Sequence, residues 1–92
     1  MHPALIVTAQ SVLEGAGSEV HVVPLTSRIR DYESEVVVEA DAQNGLDNDS
    51  AAQCQHLRSV SRERIVASRG HIGAEVLAQV REVIADLLDL PA

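Results

Sequence analysis

The chain has 92 residues; 46% are apolar, Tyr32 is the sole aromatic, and Phe and Trp are absent. Fourteen acidic residues stand against seven arginines and no lysine, a net charge of −7 that argues against charge-driven, sequence-indifferent binding to nucleic acid or anionic membrane. No apolar run nears the roughly 20 residues of a bilayer span, and a single cysteine, Cys54, excludes an intrachain disulfide and clusters of paired cysteines.

This length suits one domain, 1–92, whose stability is marginal on its own because a chain so short buries only about 60–65% of its unfolded surface. The core must be tightly packed Val, Ala, Leu and Ile, and a homodimer is the natural way to bury more. The N-terminus lacks a basic region before its short apolar run, so no secretory signal is expected and the default compartment is the cytoplasm.

In chain order, Ala4 to Thr8 reads as a buried strand. Ala9 to Val12 reads as a short turn or helical segment, and Glu14 to Ser18 as a flexible connector. Glu19 to Leu25 is a second strand around the β-prone Val20-His21-Val22-Val23. Pro24 removes one ladder donor there and suggests an edge or exit position. Thr26 to Glu33 is a polar loop. Ser34 to Ala40 is a third strand, with Glu33, Glu35 and Glu39 alternating along an exposed face. Asp41 to Ser50 is turn-rich, with Asn44-Gly45 as the clearest signal. Ala51 to Leu57 is a weaker strand, Ser61 to Arg64 a single helical turn, and Ile65 to Ile72 a further short strand interrupted at Gly70. Val76, Leu77, Val80, Val83, Ile84, Leu87 and Leu88 then form one face of a C-terminal helix, with Gly73 as N-cap, Glu75 in the first turn and Pro91 after its end. The class is α+β, mainly β.

The four histidines, at positions 2, 21, 56 and 71, lack metal-ligand spacing. Asp47-Asn48-Asp49 lacks the glycine and closing glutamate of a calcium loop, and Gly15-Ala16-Gly17 lacks the lysine of a phosphate loop. No metal or cofactor is expected. The segment with chemical promise is Pro24-Leu25-Thr26-Ser27-Arg28. A strand end is rigid, and there two hydroxyls and a guanidinium follow at once, groups able to donate to and neutralise a phosphate. The same residues also suit an ordinary hydroxyl-rich loop start with a solvated arginine.

Taken in order, these segments resemble the MazF/PemK family of toxin endoribonucleases. Pro3-Ala4-Leu5-Ile6-Val7-Thr8 is similar to the family's Arg-Pro-x-x-Val-x strand, Val23-Pro24-Leu25-Thr26-Ser27 to its Pro-x-Thr-x strand exit, and Glu35-Val36-Val37-Val38 to the next strand. Asp49-Ser50 with Leu57-Arg58-Ser59-Val60 and Arg64 resembles a further segment, and Gly70-His71-Ile72 before the long helix resembles its C-terminus. The resemblance implies a small SH3-like, CcdB/PemK-type β-barrel with a C-terminal helix, lacking the usual first strand and working as a homodimer. It implies a toxin of a type II toxin–antitoxin system that cleaves single-stranded RNA without a metal and inhibits growth. The 2′-hydroxyl attacks the adjacent phosphorus while an arginine and a hydroxyl residue hold the phosphate. Thr26 matches that hydroxyl residue and Ser27 lies beside it. His2 stands where the family has arginine, either as a candidate general acid or as an inert residue at a frayed terminus. Arg28 and Arg30 are the cations placed to bind RNA from the adjacent loop. The implied partner is an antitoxin with a disordered, acidic and apolar tail, and no membrane. The alternatives are a degenerate relative that dimerises and binds antitoxin without cleaving RNA, a plain structural domain outside the family, and a gyrase-directed protein like CcdB. The last relies on a tryptophan-containing end that this chain lacks.

Overall fold

The computed structural model describes residues 3–15, 17–65 and 70–89. The elements are β1 (Ala4–Ile6), a short helix α1 (Gln10–Leu13), β2 (Glu19–Thr26), β3 (Glu35–Val38), β4 (Ser50–Gln53), a 3₁₀ turn at Cys54–His56, β5 (Arg58–Ser61), a second 3₁₀ turn at Arg62–Arg64, and α2 (Ala74–Leu87).

The β-branched run around Val20–Val23 makes β2 the spine of the sheet. One edge pairs antiparallel with β1, matching Ile6 to Val22, Leu5 to Val23 and Ala4 to Pro24. The other edge is divided: Glu19 to Val22 pair with β5, and Leu25 and Thr26 pair with β4. Pro24 explains the division. The Leu25 N–H donates to the Pro3 carbonyl at 3.0 Å, on the β1 side. Donors alternate along a strand, so the N–H that proline lacks falls on the other edge, in the gap between β5 and β4. Pro24 therefore marks an interruption along one edge of a central strand, where an edge or exit position was expected.

β3 pairs with β4 from Glu35↔Gln53 to Val38↔Ser50. The resulting sheet has five strands in the order β1-β2-β4-β3, with β5 beside β2, and it is open. This corrects the expected SH3-like, CcdB/PemK-type barrel. The outermost strands, β1 and β3, have three and four residues and are each paired along one edge only. Helix α2 lies against β3 and the Cys54–His56 turn, so the open side of the core is covered by a helix and not by a closing strand.

The core is aliphatic, as the composition requires: Leu5, Val23, Leu25, Val36, Val38, Ala52, Cys54 and Val80 form its buried cluster. Val80 is fully buried, and Val76, Val83 and Ile84 pack beside it. The predicted apolar stripe runs past its cover, because Leu87 and Leu88 are 49% and 56% exposed. Gly73 is the N-cap of α2 and Glu75 sits in the first turn; Pro91 lies outside the described residues. Burial pushes the Cys54 thiol above its ordinary value, and its Sγ lies 3.9 Å from the Val80 carbonyl.

Loops are tied down by specific bonds. Asn44, which is buried, accepts from the Asp41 and Leu46 N–H groups and donates to the Glu39 carbonyl, while Gly45 takes φ 66°. A Cβ at Gly70 would collide with the Gln43 carbonyl oxygen, which accepts the His71 N–H at 2.8 Å. Arg81 reaches from α2 to the Val7 carbonyl, and Arg62 donates to the Leu13 carbonyl at 2.8 Å. β5 is a strand that sequence patterning missed, since Arg-Ser-Val-Ser carries little apolar signal. Among the described residues of 65–72 there is no strand.

Glu35 is a second correction. It does not line an exposed face with Glu33 and Glu39; its side chain is 2% exposed. Its Oε2 accepts from the Arg30 guanidinium at 2.7 Å, from Gln55 Nε2 at 2.7 Å and from Gln53 Nε2 at 3.2 Å. Arg30 in turn lies over the Tyr32 ring, 4.4 Å from its centroid. Burial raises the carboxyl's pKa, but the hydrogen bonds from Gln55, Arg30 and Gln53 outweigh it and hold the group below its ordinary value of 4.5.

Two outcomes follow from this packing. Val80→Ala is expected to cost about 2 kcal/mol, roughly two buried methyl groups plus the cavity left behind, read as a lower urea midpoint at unchanged slope. Glu35 binds its proton more weakly when folded than unfolded. Its contribution is therefore complete above the ordinary carboxylate range and is lost as pH falls through the lower native value. Urea unfolding at stepped pH should show Glu35→Gln less stable than wild type near neutrality, with a shallower loss of stability in acid.

Candidate nucleic-acid interface

A groove of about 880 Å³ opens where the end of β2 meets the start of β1, the 46–50 loop and the turn leading into β5. Its walls carry Thr26 and Ser27 from the end of β2, Gln53, Gln55 and His56 from the 3₁₀ region, and Arg58 from the start of β5. Pro3, Pro24, Leu25, Leu46 and Leu57 supply apolar lining between these polar groups. The strand pairing creates the site: along one edge of β2, Thr26 pairs with Ala51 of β4 and Val22 with Arg58 of β5, and both strands contribute to the groove lining.

The predicted residues divide. Thr26 and Ser27 both line the groove. Thr26 Oγ1 accepts the Arg28 N–H at 3.2 Å, a local turn that leaves the hydroxyl proton free for another acceptor. Arg28 is exposed in the following loop and does not line the groove. Arg30 is held by Glu35, half-buried, and also lies outside the lining. His2 lies outside the described residues.

Arg58 is the residue that sequence reasoning passed over as a site residue, although it stood in one of the matched segments. Among the described residues it is the one arginine in the groove lining, and no ion pair or hydrogen bond engages its guanidinium there. The other described arginines are accounted for differently: Arg30, Arg62 and Arg81 are bound to protein acceptors, and Arg28 and Arg64 are exposed elsewhere; Arg69 lies outside the described residues. The signal available from sequence was topological, because Arg58 reaches the site only through the pairing of β5 with β2. His56 was noted only for its spacing to other histidines, and the groove places it near Arg58. Asp47 is the lining's carboxylate.

Hydroxyl donors, carboxamides and an unpaired guanidinium over an apolar floor suit a ligand with phosphates and planar bases. No group of three or more His, Cys, Asp or Glu side chains is placed to hold a metal ion among the described residues. No helix among those residues is long and apolar enough to cross a membrane.

Residues 1–88 match the family model of the PemK-like, MazF-like toxin of type II toxin-antitoxin systems. Endoribonuclease MazF9 of Mycobacterium tuberculosis is 39% identical over 70 residues, which are 75% of this chain and 58% of that protein. The chain thus spans less than two thirds of that relative's length. The solved structure of the Mycobacterium tuberculosis toxin MazF-mt6 superposes with a TM-score of 0.85 at 27% identity, covering 99% of this chain and 89% of the other. A MazE-MazF structure from Deinococcus radiodurans superposes at 0.78 with 28% identity, covering 98% and 84%. The chain belongs to the PemK-like, MazF-like toxins of type II toxin–antitoxin systems.

Proposed function

We propose that the groove binds single-stranded RNA and cleaves it, making this chain a growth-inhibiting endoribonuclease toxin. The observation that carries the reading is the meeting of the Thr26 and Ser27 hydroxyls with the unpaired Arg58 guanidinium in one groove. Family membership and the similarity to MazF9, an endoribonuclease, support it.

In the proposed reaction the substrate's own 2′-oxygen attacks the neighbouring phosphorus. The 2′-O–P bond forms, the P–O5′ bond breaks, and the proton lost from the 2′-hydroxyl is balanced by one gained at the 5′-oxygen. The protein's task is to hold the phosphate in line and to stabilise charge gathering on its non-bridging oxygens. Thr26 and Ser27 donate hydrogen bonds to those oxygens. Arg58 supplies the positive charge, in a planar fork that matches two phosphate oxygens. His56, in the same lining, is a proton carrier within the groove, and His2 is a second candidate at the start of the chain. Arg28, exposed just beyond Ser27, extends positive charge along the path of the strand, whereas Arg30 serves by holding the loop to Glu35.

The proposed partner is an antitoxin whose acidic, apolar segment occupies the same groove and opposes Arg58; the MazE-MazF assembly from Deinococcus radiodurans supports such a pairing. The working form is a homodimer, which would cover apolar residues left exposed on β3 and α2, among them Val37 and Leu87. The setting is the cytoplasm, where messenger RNA is available.

Purified wild-type protein should cleave single-stranded RNA. Thr26→Ala and Arg58→Ala should each lower the rate about 100-fold or more, the loss typical of removing one donor to a developing oxyanion, with circular dichroism unchanged. Wild-type protein that leaves RNA of varied sequence intact, or full activity in both variants, would refute the assignment. A synthetic peptide of alternating acidic and apolar residues, imitating an antitoxin tail, should raise the melting temperature in proportion to the logarithm of its concentration, and Arg58→Ala should weaken that shift.

A further inference from the structure

The buried Glu35 carboxylate lies behind the groove, outside its lining, yet it holds two of the lining side chains. Gln53 faces it directly across the β3–β4 pairing, and Gln55 reaches it from the 3₁₀ turn. Both present Nε2 to the same oxygen, at 3.2 and 2.7 Å. The orientation of a glutamine amide is ordinarily ambiguous, because its two ends have the same shape. Here the chemistry decides it. An ionised carboxylate only accepts hydrogen bonds, so each amide must turn its nitrogen toward Glu35. The carbonyl ends are left over, and among the described residues no donor reaches either oxygen. Arg30 completes the arrangement by bonding to the same carboxylate oxygen at 2.7 Å, which fixes the charge state the two amides need.

We infer that Glu35 is a positioning residue that sets Gln53 and Gln55 as a pair of acceptors, so that the groove selects a nucleobase bearing an exocyclic amino group over uracil. The inference rests on the reading of the groove as an RNA site and adds the class of base it prefers. Adenine, cytosine and guanine each carry an amino group able to donate to a carbonyl oxygen. Uracil carries none: its single edge donor, N3–H, is flanked by two carbonyl oxygens, so at least one of a pair of acceptors would face an acceptor. RNA is read on such edges where single-stranded bases are splayed out, which an open groove with an apolar floor permits. The arrangement specifies identity by fixing which end of an amide is presented, without placing a charge in the lining.

The test measures binding to the unaltered protein, with every 2′-hydroxyl of the RNA methylated so that no attacking group is present and the RNA is not consumed. Fluorescein-labelled hexauridine is compared by anisotropy with hexamers carrying one adenosine or one cytidine at each position in turn. At one position, the amino-bearing base should tighten binding about ten-fold over uridine, the size of one well-made hydrogen bond against an acceptor clash. Replacing that adenosine by purine riboside, which lacks the amino group, should abolish the gain. Gln53→Met with Gln55→Met retains side-chain length and leaves the Arg30–Glu35 pair in place; there the ratio should fall toward one. Glu35→Gln should also lower the ratio, since a carboxamide at position 35 meets its neighbours with either end. A ratio near one in the protein with both glutamines, or one unchanged in the double variant, overturns the inference while RNA binding stands. Failure to bind any hexamer overturns the RNA reading and the acceptor pair together.

Discussion

The structure depends on one strand having three partners. β2 binds β1 along one edge and shares the other between β5 and β4, and the sharing is possible because Pro24 has no donor to satisfy at the join. A residue with an N–H at that point would present an unpaired donor to the gap or draw the two strands into a continuous ladder. The divided edge lets two chain segments, distant in sequence from Thr26, converge on the end of the strand that carries it. Helix α2 then covers the remaining core, with Val80 at its centre. The geometry of the groove thus follows from a backbone constraint.

Much of this was legible in the sequence, for reasons that differ by element. The C-terminal helix was marked by a long stripe at helical spacing and a glycine before it, and β2 and β3 by runs of valine. Thr26 and Ser27 followed from their place at a strand exit. What escaped was whatever depended on pairing. β5 has a short, polar sequence and exists as a strand because β2 offers it an edge. Arg58 became visible as a site residue only with that pairing. Glu35 looked like one member of an alternating solvated set, but three donors from distant positions draw it inward. Closure of the sheet was implied by the family resemblance, not by any residue pattern, and the structure overturns it. Periodicity identifies strands and their faces, whereas closure depends on which edges meet, and here the short β1 and β3 do not.

The arginines show how an acidic chain distributes its positive charge. Arg62 and Arg81 bond to backbone carbonyls and act as braces between segments. Arg30 is neutralised by Glu35. With the net charge at −7, unspecific attraction to a polyanion is weak, so the proposed binding of RNA would rest on local complementarity in the groove. Among the described residues Arg58 is the one guanidinium of the groove lining, beside hydroxyls, amides and the Asp47 carboxylate.

The absence of aromatic residues from the core has an optical consequence. Nothing in the packed interior absorbs near 280 nm, so the core is spectroscopically silent. The only such chromophore is Tyr32, half-exposed in the loop before β3 and stacked beneath the guanidinium that Glu35 holds. The intrinsic fluorescence of this protein therefore reports on the anchorage of that loop and, through the shared carboxylate, on the two glutamines of the groove. Local loosening beside the groove would register there before the core has opened.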